Sequence, residues 1–203
     1  LKHFASKGAL DIDTLGEKNV EALVNAGLVA DLADIYTLTK EQLLELERFA
    51  DISAQKLVDA IADKKQPPLE RFLFGLGIRH VGVQTVIDLV GKFESLEALE
   101  TATIDQLRDI DGIGEVVAES LAAWFADEDN LALLEKFTNL GVAPHFEKKL
   151  GGLVGVNFVV TGTLESMSRD EAADKIRSLG GTFQSGVAKD TTYRGAGGNV
   201  GAS

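Results

Sequence analysis

Three short loops in this chain are built to hold an anion through the main chain: Gly112-Ile113-Gly114, Arg79-His80-Val81-Gly82, and Thr14-Leu15-Gly16 with Lys18 close behind. Each stands just before a stretch whose apolar residues recur at helical spacing. A helix that starts at such a loop exposes N–H groups with no carbonyl partner, and its dipole adds to their attraction for negative charge. The apolar residue inside each loop, Ile113, Val81 or Leu15, is expected to plug the turn into a core. Gly112 and Gly114 suit positive φ and leave the backbone bare. The chemistry implied is the gripping of phosphate-like groups, not the making of bonds. There is no cysteine, which excludes disulfides, thiolate zinc sites and a cysteine nucleophile within these residues. The three histidines, His3, His80 and His145, are too scattered to suggest a metal site.

The loops belong to a repeat. With Gly114 as position zero, Ile110, Ile113, Ala118 and Leu121 stand at minus four, minus one, plus four and plus seven. The same register gives Ile78, Val81, Val86 and Leu89 around Gly82; Leu46, Phe49, Ala54 and Leu57 around Ala50; and Ile12, Leu15, Val20 and Leu23 around Gly16. The centres are 34, 32 and 32 residues apart, so four helical hairpins are expected. The residue two before the centre differs, being Thr14, Arg48, His80 and Gly112 in turn. That position governs how closely a ligand approaches. It ranks the Gly112 loop first, the Arg79 loop second and the Thr14 loop third. The Arg48-Phe49-Ala50 loop comes last and reads as structural, with a charge supplied by Arg48 as the alternative. Arg79 reads as a functional contact, and His80 as either a contact or a turn residue.

The elements that must position these loops are mostly helices. Glu17 to Asn25 forms one, stopped by Gly27, and Asp31 to Tyr36 a short one. Thr39 with Gln42 makes a capping box for the next. Ser53 to Asp63 is a strong helix. Pro67-Pro68 then divides two pairs of hairpins, with Pro68 expected at the first position of a helix that buries Leu69, Phe72, Leu73 and Leu76. Ser95 to Ala102, Thr103 to Ile110 and Asn130 to Leu140 follow as helices, with Trp124 and Phe125 read as core. From Val156 the period becomes extended. A strand over 156–161, a turn at Gly162, a helix opened by the Ser168–Glu171 capping box and a strand beginning at Thr182-Phe183 are expected. From Lys189 onward periodicity fades and no further element is expected. The fold class is therefore mostly α, four helix-hairpin-helix repeats followed by a small, incomplete α/β unit. The domains are 1–140 with a break near 64–68, a linker over 141–155, and 156–203.

Composition bounds the function. The apolar share of 45% is that of a globular protein with a real core. No run is long enough to span a membrane, and no basic-plus-apolar N-terminal segment suggests secretion. The chain starts at Leu1, its only methionine is Met167, and a longer parent is expected. The net charge of −12 lies in the repeats, where residues 1–150 hold 15 Lys plus Arg against 27 Asp plus Glu. That balance disfavours tight nucleic-acid binding through side chains. Binding through main-chain N–H groups needs few basic residues, and the acid can occupy the opposite face.

The runs Leu1-Lys2-His3-Phe4-Ala5-Ser6, Ala9-Leu10-Asp11-Ile12, Leu76-Gly77-Ile78-Arg79-His80-Val81-Gly82 and Asp111-Gly112-Ile113-Gly114 closely resemble the C-terminal part of bacterial NAD-dependent DNA ligases. So do Val160-Thr161-Gly162-Thr163-Leu164, Ser168-Arg169 and Leu179-Gly180-Gly181, which resemble the opening of that family's BRCT domain. The resemblance covers nearly the whole chain. Four hairpins followed by BRCT is a specific order, because family-X polymerases carry the modules reversed. It implies a non-catalytic, DNA-binding portion of an enzyme that seals nicks in duplex DNA during replication and repair, in the bacterial cytoplasm at the nucleoid. NAD, magnesium and zinc are implied for the parent alone, since this chain lacks both the Lys-x-Asp-Gly nucleophile motif and the cysteines of the family's zinc finger. The partners implied are nicked double-stranded DNA and the upstream ligase domains, with no membrane. The chain departs from the family pattern at Thr14, Arg48, Ala50 and Arg194-Gly195. The other function class is a protein-interaction module of a replication or repair protein. A repair nuclease or glycosylase fragment is disfavoured, because no hairpin is followed by the lysine and aspartate that base excision needs.

Overall fold

The computed structural model describes residues 1–147, 155–161 and 168–196. Expectations for the turn at Gly162 and for residues 148–154 of the linker fall outside them. The chain divides into two compact units, Leu1–Phe146 and Glu147–Ser203.

The first unit is helical: α1 (Lys2–Ala5), α2 (Glu17–Asn25), a 3-10 turn (Ala33–Thr37), α3 (Lys40–Leu44), α4 (Asp51–Ala62), α5 (Leu69–Gly75), α6 (Val83–Phe93), α7 (Leu96–Glu100), α8 (Ile104–Arg108), α9 (Glu115–Ala126) and α10 (Glu128–Asn139). Local chemistry sets most boundaries. Thr39 and Thr103 close capping boxes with Gln42 and Gln106, and the Asp127 carboxylate accepts from the N–H groups of Asp129 and Asn130. Gly27 at φ 72° stops α2. Some boundaries differ from expectation. The segment after Asp31 is a 3-10 turn, because the Asp31 and Asp34 carboxylates take backbone N–H groups at its start and tighten it. Helix α4 begins two residues before Ser53, because the repeat centre Ala50 is its N-cap. Pro68 is the N-cap of α5 and not its first residue. There it pairs with His145: Leu69 N–H donates to His145 O (2.7 Å) and His145 N–H to Pro67 O (3.0 Å).

The repeat register is visible in the core. Val20, Ala54, Val86 and Ala118 at plus four are buried, as are Leu23, Leu57, Leu89 and Leu121 at plus seven. Those two stations fix which face of every second helix turns inward. An aromatic cluster joins the halves. Phe137 of α10 stacks on Phe4 of α1 (5.7 Å) and meets Phe72 of α5 (5.1 Å) and Tyr36 (6.1 Å) edge-on. Lys136 adds ion pairs to Asp31 (2.8 Å) and Asp34. After α10, Val142 is buried and Ala143 N–H donates to Lys65 O (2.8 Å), so residues 142–145 lie along the Lys65–Leu69 connection between the hairpin pairs.

The second unit contains β1 (Asn157–Thr161), α11 (Arg169–Ser178), β2 (Thr182–Gln184) and β3 (Tyr193–Ala196), in a parallel sheet ordered β2-β1-β3. The Ser168–Glu171 capping box opens α11. Strand β3 overturns the expectation that no element follows Lys189. Its signal is masked because Arg194 and Gly195 break the apolar pattern. Pairing supplies what propensity lacks: Phe158 stands opposite Tyr193 and stacks on it (5.3 Å), and Arg194 Nε donates to Thr161 Oγ1 (3.2 Å).

Candidate nucleic-acid interface

Each second helix starts from the same station. Gly16, Ala50, Gly82 and Gly114 are the N-caps of α2, α4, α6 and α9, all with φ between −74° and −99° and extended ψ. In all four, the minus-one N–H donates to the minus-four carbonyl: Leu15 to Ile12, Phe49 to Leu46, Val81 to Ile78 and Ile113 to Ile110, at 3.0–3.3 Å. The glycine at the centre is therefore not there for positive φ, which corrects the expectation for Gly114. Its use is to leave the mouth of the helix open: a Cβ on Gly16, Gly82 or Gly114 would meet nothing within 4 Å.

Positive φ falls at minus two instead. Thr14 lies at 66°, His80 at 65° and Gly112 at 88°, whereas Arg48 is not in this region. Three loops thus share a left-handed residue that turns the chain into the helix, and the second does not. The first helical N–H groups after Gly16, Gly82 and Gly114 have no side-chain cap at those residues. In the second hairpin, Ala50 N–H donates to Ser53 Oγ (2.9 Å), so one of its donors is already engaged.

The plugs differ as well. Leu15, Phe49 and Ile113 are buried, but Val81 is only half-buried against the core. Val81 is shorter than the leucine, phenylalanine and isoleucine of the other copies and does not reach as deep. Arg79, His80 and Lys18 are exposed at the loop mouths. Trp124 and Phe125, at the far end of α9, are half-buried and buried, with rings edge-on at 5.0 Å.

Electrostatics separates the loops further. Glu17, Asp51 and Glu115 occupy plus one in the first, second and fourth hairpins, each paired with a cation: Lys2 (2.6 Å), Lys40 (2.8 Å) and Arg108. These exposed pairs add little stability, but they place a carboxylate at three helix mouths. Only the third hairpin has Val83 at plus one and no acid in the first turn of its helix. The third and fourth loops are also joined. Ser120 Oγ donates to Arg79 O, and a Cβ on Gly112 would sit 3.1 Å from Asp88 Oδ2. Ser120 and Asp88 both stand at plus six, so each second helix faces the loop of the other hairpin. Asp88, Asn19, Ser53 and the plus-one acids stand outside the loops that the sequence singles out. Their shared offsets from the repeat centres are the signal that could have found them.

Among the described residues no group of three His, Asp or Glu could hold a metal ion. With no cysteine and no Lys-x-Asp-Gly run, the donor set fits neither a zinc finger nor adenylate chemistry. No described helix is long and apolar enough to cross a membrane.

Family models agree with this architecture. Residues 7–63 match a SAM-like helix-hairpin-helix tandem, 71–134 a helix-hairpin-helix motif, and 153–199 the BRCA1 C Terminus (BRCT) domain. Among curated proteins, the chain is 46% identical over its whole length to the DNA ligase of Gemmatimonas aurantiaca. It is 44% identical over 98% of its length to that of Trichlorobacter lovleyi, and 45% over 94% to that of a Bacillus cereus strain. The chain belongs to the bacterial DNA ligase family. It corresponds to the C-terminal helix-hairpin-helix and BRCT region and spans about 30% of the length of these ligases.

Proposed function

We propose that this chain is the part of an NAD-dependent DNA ligase that grips nicked duplex DNA, holding the phosphate backbone through loop and helix N–H groups while upstream domains seal the nick. The supporting observation is the repeated helix mouth, open at Gly16, Gly82 and Gly114, with a left-handed residue two positions before it. Such a mouth binds phosphate without reading bases, so binding is independent of sequence.

The contacts fall on Arg79, His80, Val81 and Gly82, then on Gly112, Ile113 and Gly114, and then on Thr14, Leu15, Gly16 and Lys18. The third hairpin leads in this reading because it combines Arg79 with a first turn free of acid, whereas the fourth has Glu115 and Asp88 near its loop. The parent is a phosphodiester-forming enzyme of the bacterial cytoplasm and nucleoid. Its NAD, magnesium and zinc are held by other domains.

An electrophoretic shift of this chain on nicked duplex across a salt series tests the reading. Binding that weakens as salt rises, with no base preference, supports it. No binding at low salt, or a slope near zero, overturns it in favour of a protein-interaction module.

A further inference from the structure

The second hairpin has the repeat geometry but lacks the features that would make it grip. Its minus-two residue is Arg48, outside the left-handed region, its centre is Ala50, and Ser53 already engages the Ala50 N–H. Arg48 nevertheless has a partner. Its Nε donates to Asn19 Oδ1 (3.2 Å), and Asn19 Nδ2 donates to the carbonyl oxygen of Thr14 (2.7 Å). The relay runs from the loop of the second hairpin, through the first turn of α2, into the loop of the first.

The receiving end is a loop under strain. Thr14 is β-branched and lies at φ 66°, where such residues are rarely found. Its hydroxyl oxygen is buried with no hydrogen-bond partner among the described residues. The equivalent positions of the third and fourth hairpins, His80 and Gly112, lack that β-branch. A conformation that its own side chain opposes must be held from outside. The contacts at hand are Asp13 Oδ1, which accepts the Thr14 N–H (2.9 Å), and the Asn19–Arg48 relay on the carbonyl.

We infer that Arg48 is a positioning residue: the second hairpin braces the first, and the Arg48–Asn19 relay holds Thr14 left-handed so that the mouth at Gly16 stays open to phosphate. The brace rests on the DNA-gripping role for its consequence, but its geometry is a property of the free protein.

The test uses Arg48→Ala, Asn19→Ala, the double variant and Arg48→Gln, which keeps an amide donor without the charge. In free protein, hydrogen exchange at the Leu15 and Gly16 amides is expected to rise about 10-fold in both alanine variants and to stay at parent level at Ile113 and Gly114. On nicked duplex both are expected to lose about 10-fold in affinity with an unchanged salt slope, the double variant losing no more than the larger single, and Arg48→Gln recovering the parent value. A direct phosphate contact by Arg48 would instead lower the slope by about 0.9, in Arg48→Gln as well, and leave Asn19→Ala like the parent. That pattern overturns the brace, as do unchanged exchange rates. If the parent fails to bind DNA, the gripping role falls, and the exchange measurement still decides the brace.

Discussion

Replacing Gly82 by alanine isolates the main-chain grip from every other contribution. Gly82 caps α6 at φ −99° and ψ −176°, and a Cβ there meets nothing within 4 Å. The second hairpin already contains the experiment, since Ala50 caps α4 at φ −99° and ψ 172°. Alanine therefore fits without strain. The cost to the fold is the N-cap preference for glycine over alanine, about 0.5–1 kcal/mol, or roughly 2–4 °C of melting temperature in a unit of this size. For a ligand the change is larger. A phosphate oxygen must come within about 2.9 Å of an N–H, and the new methyl stands on the open side of the turn it has to cross. Loss of one hydrogen bond to a charged group, about 1.5–3 kcal/mol, lowers affinity roughly 10- to 150-fold. An N–H group carries no net charge and displaces no counterion by itself, so the slope of log K against log salt stays near the parent value. Fluorescence anisotropy on a nicked duplex at four salt concentrations, with melts of the same samples, reads both quantities. If Gly82→Ala melts as expected and binds like the parent, no phosphate approaches the third loop and the grip assigned to it is wrong.

Gly91→Ala, in the interior of the same helix with open space around its Cβ, raises stability by about 0.5–1 kcal/mol and leaves DNA binding unchanged; weaker binding would show that α6 contacts DNA away from its mouth. Arg79→Ala is expected to lower the salt slope by about 0.9 with no change in base preference, and an unchanged slope would place Arg79 off the phosphate. Ile113→Ala is expected to cost about 2–4 kcal/mol in denaturant melts and Val81→Ala about 1 kcal/mol, because Val81 is only half-buried; equal losses would contradict that difference in depth. Burial opposes ionisation of Asp34, but hydrogen bonds from Lys136 and from the Ala30 and Asp31 N–H groups together hold its pKa below the usual value. A depressed carboxylate stabilises the fold above its unfolded pKa and stops doing so as pH falls through the folded value. Lys136→Ala should therefore melt below the parent at pH 7, with the gap closing as pH drops below about 4. A constant gap from pH 7 to pH 2.5 would remove Asp34 from the account.

The repeat was legible because burial imposes it. Plus four and plus seven must face inward in every copy, and Val20, Ala54, Val86 and Ala118 could not be polar without opening the core. The loops were less legible because their geometry is set across the chain. Nothing local to Gly114 indicates that its φ is negative and that the left-handed residue is Gly112. Apolar spacing also says nothing about which carboxylates approach a loop, as Asp88 approaches Gly112 from the neighbouring hairpin. Strand β3 escaped for the same reason. Tyr193-Arg194-Gly195 has little extended pattern of its own and becomes a strand because β1 offers a free edge.

The acidic character of the repeats bears on the proposed grip on DNA. A net charge of −12 repels duplex at long range, and a design that relied on lysine side chains would lose to that field. At the mouths the sign is managed locally. Glu17, Asp51 and Glu115 sit where they favour the helix dipole, and Lys2, Lys40 and Arg108 neutralise each of them. Helix starts are thereby stabilised without leaving a bare carboxylate facing the ligand. The third mouth dispenses with the acid and carries Arg79 instead. Contact then depends on short-range N–H geometry, while the surrounding acid weakens capture of any polyanion that cannot reach several mouths at once. On the proposed function, a hairpin array of this composition is expected to bind more weakly alone than when linked to further DNA-contacting domains, which raise the effective concentration of duplex at its mouths.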